Sequence, residues 1–336
     1  MNIGILGTGG IAAAHALGIN CLEDTIARLY ACCDIDQAKV EKFCQTYGGR
    51  PFSDLDAMLA DPALDAVIVC LPHGLHAQMG IKVMKAGKHV LVEKPMAPNV
   101  AECKKLIQAS AETGKKLQIG HEYFLYPTVQ EAAKVIQSGE LGKPLMVRAE
   151  LSSYIYNKLG TWWMDFEQSK GGPAINMGVH LIDITGFLLN KNPKRVRGFS
   201  RQLHPQAVKG IEDYFVMELD FGDGMFSDNR IYSFEKKIDV IRPAVTVFCE
   251  EGSLSVWSNE LVIQKGSDAL ETRLKGDGSK AYLVFAEQIK QFKDFVEKGV
   301  TPRATGRFGM EAVACIEAAM NGDNGTWKTI KEICGE

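Results

Sequence analysis

The chain has 336 residues, more than one hydrophobic core usually supports, since cores stop growing at about 250 to 300 residues; two domains are expected. With 46% hydrophobic, 24% charged and 8% aromatic residues it has an ordinary globular composition, which excludes collagen-like, low-complexity and globally disordered readings. Lys plus Arg total 38 against 41 acidic residues, and the net charge of -3 offers no basic field to a nucleic-acid backbone or an anionic membrane surface. Neither partner is expected.

The opening M-N-I-G-I-L-G reads as a first strand and not as a secretion signal, and no apolar run approaches the ~18 residues of a bilayer span. A cytoplasmic location is expected. Short β-rich runs then alternate with amphipathic stretches. Strands are predicted at Asn2–Leu6, Ala27–Cys33, Ala66–Cys70, His89–Val92 and Lys116–Gly120, with a weaker one near Pro51. Helices are predicted at Ile11–Asn20, Gln37–Tyr47, Leu75–Ala86 and Val100–Thr113. This alternation is the signature of a parallel sheet wrapped by crossover helices.

Beyond Glu122 the character changes. A helix over Val129–Ser138 leads into alternating strands at Pro144–Tyr154, Arg195–Gln202, Asp213–Phe221, Met225–Phe234, Ala244–Glu250 and Leu261–Lys265, with helices at Ile175–Leu189 and Leu283–Glu297. This predicts a second α/β domain on an open, largely antiparallel sheet.

Three constellations can carry chemistry. Gly7-Thr8-Gly9-Gly10-Ile11-Ala12 is a G-x-G-x-x-A turn between a strand and a helix, where glycines admit a pyrophosphate to the helix N-terminus. Asp34 ends the next strand, placed to accept hydrogen bonds from an adenosine ribose diol and to repel a 2'-phosphate, which favours NAD over NADP. Lys94, in Glu93-Lys94-Pro95, follows the strand His89–Val92 at the carboxyl edge of the sheet, where its ammonium can steady a substrate oxygen. Gly171-Gly172-Pro173-Ala174-Ile175-Asn176-Met177-Gly178-Val179-His180-Leu181-Ile182-Asp183 opens a helix with Asn176, His180 and Asp183 on one face at helical spacing. His180 there is either a proton-transfer base or a core histidine bonded to Asp183.

The nine cysteines form no framework. Cys70, His73 and His76 recur every three residues, but a strand end and Pro72 intervene, so no metal site is expected.

G-x-G-G-I-A, the P-H-G-L-H run from Pro72, G-K-H-V-L-V-E-K-P from Gly87 and G-G-P-A-I-N-M-G-V-H-L-I-D from Gly171 form an ordered set. With these motifs the chain resembles the Gfo/Idh/MocA oxidoreductases, the glucose-fructose oxidoreductase and inositol dehydrogenase family. The resemblance implies a Rossmann domain at 1–121, joined by a late helix returning near 303–322, Glu311 to Met320 in particular. It also implies a substrate-binding and oligomerisation domain at 122–302, and a homodimer or homotetramer. It implies hydride transfer between NAD and a secondary carbon of a sugar, sugar derivative or cyclic polyol, with Lys94 on the reacting hydroxyl and His180 exchanging its proton. Carried over by motif, Gly7, Thr8, Gly9, Gly10, Ile11, Asp34, Leu71, Pro72, His76, Glu93 and Lys94 line the cofactor and Asn176 the substrate, to which Tyr123 and Trp163 are added as aromatic faces.

Two departures stand out. Asn176 occupies a position that is often Asp in the inositol dehydrogenase pattern, which weakens inositol specificity. His121-Glu122-Tyr123-Phe124 stands where many relatives carry arginine; Tyr123 and Phe124, with Trp162 and Trp163, either stack on sugar faces or serve as ordinary packing. A non-catalytic dinucleotide sensor on the same fold, or a dihydrodiol- or bilin-type reductase, are the competing readings.

Overall fold

The computed structural model describes residues 1–234, 242–321 and 325–335. In the first part, strands β1 (Asn2–Leu6), β2 (Arg28–Cys33), β3 (Arg50–Phe52), β4 (Ala66–Val69), β5 (His89–Glu93) and β6 (Leu117–Gly120) alternate with helices α1 (Gly10–Asn20), α2 (Gln37–Tyr47), α3 (Leu55–Leu59), α4 (His76–Lys85) and α5 (Val100–Thr113). The strands are all parallel in the order β3-β2-β1-β4-β5-β6. This is the doubly wound arrangement, whose strand order reverses beside β1 and β4, where such sheets hold ligands beyond their carboxyl ends. Strands buried on both faces have continuous apolar runs: Ala66–Val69 is fully buried along its length.

The second sheet is longer and mixed. After α6 (Pro127–Ser138) come β7 (Pro144–Ser152), the short α7 (Phe166–Ser169), a π-helical turn at Ala174–Gly178 and α8 (Val179–Leu189). Strands β8 (Arg195–Arg201), β9 (Tyr214–Gly222), β10 (Met225–Tyr232), β11 (Arg242–Cys249), β12 (Gly252–Trp257), β13 (Glu260–Lys265) and β14 (Glu271–Lys275) follow. Every pairing is antiparallel except β7 with β10. The alternation is clean: Phe215, Met217 and Leu219 of β9 are buried, and their neighbours Val216 and Glu218 are half-exposed on the other face. Strands β12 and β14 were not expected from the sequence; serine-rich G-S-L-S-V-W and charged E-T-R-L-K carry weak β signals and form by pairing with β11 and β13.

Helices α9 (Tyr282–Lys298), α10 (Gly306–Met320) and α11 (Ile330–Ile333) close the chain, with a two-residue strand β15 (Lys328–Thr329) pairing with β8. Two compact units result: Met1–Ala97, Ala101–Glu122 and Ser279–Met310 form one, and the described residues of Pro98–Val100, Tyr123–Gly278 and Glu311–Glu336 the other. The returning segment thus differs from the expected 303–322, whose last residue lies outside the described ones. It starts at Ser279, because Ile289 and Phe292 of α9 are buried in one apolar cluster with Ile5, Ala12, Ala16 and Ile19. Glu311–Met320 stays with the second unit, where Ile316 lies against Gly178 and Ala319 against Gly198.

The stretch Phe166–Leu189 is long and apolar enough to pass a membrane-span test, unlike the sequence expectation; 89% of that window is buried inside the protein, as in a core helix.

Candidate active site

Gly7 turns the chain out of β1 at φ +89, and a side chain there would place its Cβ 2.3 Å from the Cys70 carbonyl oxygen. Only glycine fits. Gly9 caps α1 without a side-chain hydrogen bond, and a Cβ on Gly9 or Gly10 would meet nothing within 4 Å. The free N–H groups of α1 therefore face open space with no acidic residue in the first turn, which fits a dinucleotide pyrophosphate.

Asp34 stands just past β2, and Thr8 joins it to this turn. Its Oδ2 accepts from the Thr8 N–H (2.8 Å), the Thr8 hydroxyl (2.7 Å) and Lys39 Nζ (2.9 Å), and its Oδ1 accepts from the Asp36 N–H (3.2 Å). Burial works against the charged form, but these donors outweigh it and hold the carboxyl below its ordinary range. The sequence places Asp34 to accept from an adenosine ribose diol. The structure instead spends Oδ2 on the turn and on Lys39, leaving Oδ1 the more available oxygen.

At the end of β5, Glu93 is buried and divided between two partners. His15 of α1 donates from Nε2 to its Oε1 (2.7 Å), and the Lys94 N–H donates to its Oε2 (3.0 Å). Lys94 is half-buried; desolvation lowers its ammonium pKa, while the carboxylates of Glu122 and Glu93 pull it back up. Burial, Lys94 and Arg303 push His121 down to about 3, so it is neutral at working pH and unsuited to proton exchange.

His76 differs from its assignment to the cofactor. It is 1% exposed, and its two ring nitrogens face the carbonyl oxygens of Pro95 (2.7 Å) and Leu71 (2.8 Å). Burial lowers its pKa, so as a neutral imidazole it donates to only one of these carbonyls; it sits between the Leu71–Pro72 loop and the Lys94–Pro95 segment, whose peptide bond is cis. This commitment also removes it as a metal ligand. Among the described residues no group of three or more His, Cys, Asp or Glu side chains could hold a metal ion.

In the second unit Asn176 lies inside the π-helical turn and His180 in the first turn of α8, both buried. The spacing argument assumed a regular α-helix; the wider π turn changes the angular step before His180, so Asn176 and His180 are not aligned by a simple i,i+4 rule. Tyr123 packs on His180 with ring centroids 4.3 Å apart and planes inclined by 51°. Phe124 is buried against Phe187, the packing role. Trp163 stands half-buried beside Trp162 in a 3-10 turn, centroids 5.0 Å apart.

Three residues with a part in this geometry escaped the sequence reading. His15 sat among alanines with no charged context, and Lys39 looked like a solvated helix residue. Glu212 accepts from the N–H groups of Gly172 (2.9 Å) and Ala174 (2.7 Å) at the start of the segment bearing Asn176 and His180. Only the E-D pair before β9 hinted at it.

Family models match both parts of the chain: the oxidoreductase family with an NAD-binding Rossmann fold over residues 1–121, and the GFO/IDH/MocA C-terminal domain over residues 129–255. A myo-inositol 2-dehydrogenase of Thermotoga maritima is 24% identical, with 95% of each chain covered. A glucose-6-phosphate 3-dehydrogenase of Bacillus subtilis is 31% identical over 56% of this chain and 54% of its own. A solved levoglucosan dehydrogenase in complex with NADH shares the fold, with a TM-score of 0.87, 18% identity, and 98% of this chain and 99% of that one covered. Glycine cradle, Asp34, buried Glu93 with half-buried Lys94 and both family matches agree: the chain belongs to the Gfo/Idh/MocA family of NAD-binding oxidoreductases.

Proposed function

We propose that the protein is an NAD-dependent dehydrogenase or reductase acting on a secondary hydroxyl or carbonyl carbon of a sugar, a sugar derivative or a cyclic polyol. The observation that carries this reading is Lys94, half-buried with Glu93 and Glu122 beside it, in the same unit as a glycine turn with room for a pyrophosphate. The relatives named above, dehydrogenases of an inositol, a glucose phosphate and levoglucosan, support the substrate class. Bound NAD supplies the hydride acceptor, and NADH the donor in reverse.

The chain's own residues do the rest. Gly7, Thr8, Gly9, Gly10 and Ile11 hold the pyrophosphate end, Asp34 the ribose, and Leu71 and Pro72 flank the turn. Lys94 donates to the reacting oxygen and stabilises negative charge as it develops there. In oxidation the hydroxyl proton passes to the His180 imidazole as the carbon–oxygen double bond forms; in reduction His180 returns it. Asn176, neutral and able both to donate and to accept, reads substrate hydroxyls, and Tyr123 with Trp163 offers apolar faces to the ring. Asn176 in place of an aspartate argues against a plain transfer of inositol preference.

The protein acts in the cytoplasm as a homo-oligomer. Half-exposed Phe199, Val216, Tyr232 and Phe248 on the outer face of the second sheet support cover by a second copy, which light scattering on the eluting protein tests.

A spectrophotometric screen of inositols, sugars, uronates and nucleotide sugars with NAD and NADP tests the function. Turnover with at least one secondary carbinol and NAD is expected. A flat response, with NAD still quenching protein fluorescence, would replace the enzyme by a dinucleotide sensor.

A further inference from the structure

We infer that Glu212 is a positioning residue for the proposed reaction, clamping from the entry to β9 the turn that opens the segment carrying Asn176 and His180. The inference rests on His180 being the proton-exchanging group.

The start of a helix leaves N–H groups without intrahelical partners, and a capping side chain normally comes from the residue just before it. Here the acceptor comes from far along the chain. Glu212 immediately precedes Asp213 and β9, 40 residues from Gly172 and 38 from Ala174, and its two carboxylate oxygens take one amide each. A negative group at that end also complements the helix dipole. The glycine just before Pro173 acquires a reason: a Cβ on Gly172 would stand 2.3 Å from the Glu212 carbonyl oxygen and 2.9 Å from Oε1. The motif leaves room for the clamp.

Asp213 anchors the other side of the same strand entry. Its Oδ2 accepts from the Tyr156 hydroxyl (2.6 Å) and the His204 N–H (2.8 Å), and its Oδ1 from the Leu203 N–H (2.8 Å). The helix start is thereby held to a fixed part of the sheet. The backbone between clamp and His180 runs through the π turn, a widened geometry that needs outside support to keep one register. A displacement of about 1 Å at a catalytic group can cost on the order of a hundredfold in rate.

Both contacts are N–H donors, so only the carboxylate satisfies the two together. Burial, with a smaller contribution from neighbouring Asp213, pushes the Glu212 carboxyl up to about 7 against the pull of those amides. From the helix side Glu212 meets the backbone amides of Gly172 and Ala174. The clamp loosens as pH falls through that value. Stability runs the other way: the folded carboxyl holds its proton to about 7 and the unfolded one only to 4.5, so this group's stabilisation is greatest below 4.5 and is lost as pH rises to about 7. Position and stability therefore make opposite demands on one side chain.

That opposition gives the test. In the purified full chain, with a turned-over substrate and NAD, Glu212→Gln is expected to lower kcat tenfold to a hundredfold. The KM for NAD and the melting temperature at pH 8 should be no worse than in the wild type. The acid limb of log kcat should become shallower, because one of two groups that must lose a proton is gone. Glu212→Asp, which keeps the charge but withdraws it by one methylene, should fall between. An unchanged kcat, or a kcat that falls together with melting temperature, would overturn the positioning role. His180→Ala separates the two claims: if it retains turnover, the proton-exchange reading fails; if it is inactive while Glu212→Gln is fully active, only the clamp fails.

Discussion

The two units reach their candidate site residues by opposite routes. In the first, Gly7, Asp34 and Lys94 each stand within a residue or two of a strand end, and nearby partners such as Thr8 and Glu93 hold them. In the second, Asn176 and His180 ride on a π turn and helix whose start is fixed by a carboxylate some 40 residues away. Strand ends present the candidate residues of the first unit and a carboxylate-held helix start those of the second, so perturbations in the two units should read out differently.

The largest expected effect is chemical. Lys94→Ala should lower kcat by about two orders of magnitude or more, as loss of a positioned catalytic group does, with NAD still quenching fluorescence. A mild loss would return Lys94 to a packing role. Next come paired glycine substitutions. Gly7→Ala meets the Cys70 oxygen at φ +89, for a strain of about 1 to 3 kcal/mol, and should raise the KM for NAD tenfold or more. Gly172→Ala meets Glu212 and should depress kcat with NAD affinity retained. If both variants change the same kinetic constant, the contrast between the units is lost.

The contrast also explains what could be read from the sequence. Through Gly120 the first unit's strands and helices, apart from the unpredicted α3, lie within a residue or two of the predicted ones, because short parallel elements carry their turn glycines and apolar runs locally. Strand β3 and the G-x-G-x-x-A turn were legible for the same reason. Strands β12 and β14 depend on neighbours that sequence periodicity does not reveal. Helix α9 was foreseen as an element, but not its burial of Phe292 in the first unit's core, which is set by an encounter across nearly the whole chain. Likewise His76 was legible as a motif residue but not as a buried ring set between two carbonyls, and Glu212 was hinted at only by the E-D pair before β9.

A smaller effect concerns cofactor choice. Asp34→Ser removes the proposed ribose acceptor and frees Lys39, now 2.9 Å from the carboxylate, to meet a 2'-phosphate. The kcat/KM ratio of NAD to NADP should fall by about tenfold or more, the scale of a hydrogen bond to a charged group. An unchanged ratio would move the ribose contact elsewhere.

Acid provides the gentlest probe. His121 in the first unit has its pKa pushed down from 6.5 to about 3, so the unfolded chain binds a proton there before the folded one does. The stability linked to this group is full above 6.5 and is lost as pH falls toward 3. Glu212 in the second unit has the reverse slope between 4.5 and about 7. Calorimetry should show the melting temperature of His121→Gln declining less steeply than wild type from pH 6 to about pH 4. Parallel curves would remove His121 from the acid response.

The central claim is that the protein moves a hydride from a secondary carbinol carbon to NAD. Incubation with NAD and a panel of carbon-deuterated inositols and sugars, followed by mass spectrometry of the nicotinamide, tests it directly. The account predicts NADH carrying one deuterium with at least one member of the panel, and none with Lys94→Ala. Turnover that leaves the nicotinamide unlabelled, or no turnover across the panel, would contradict it.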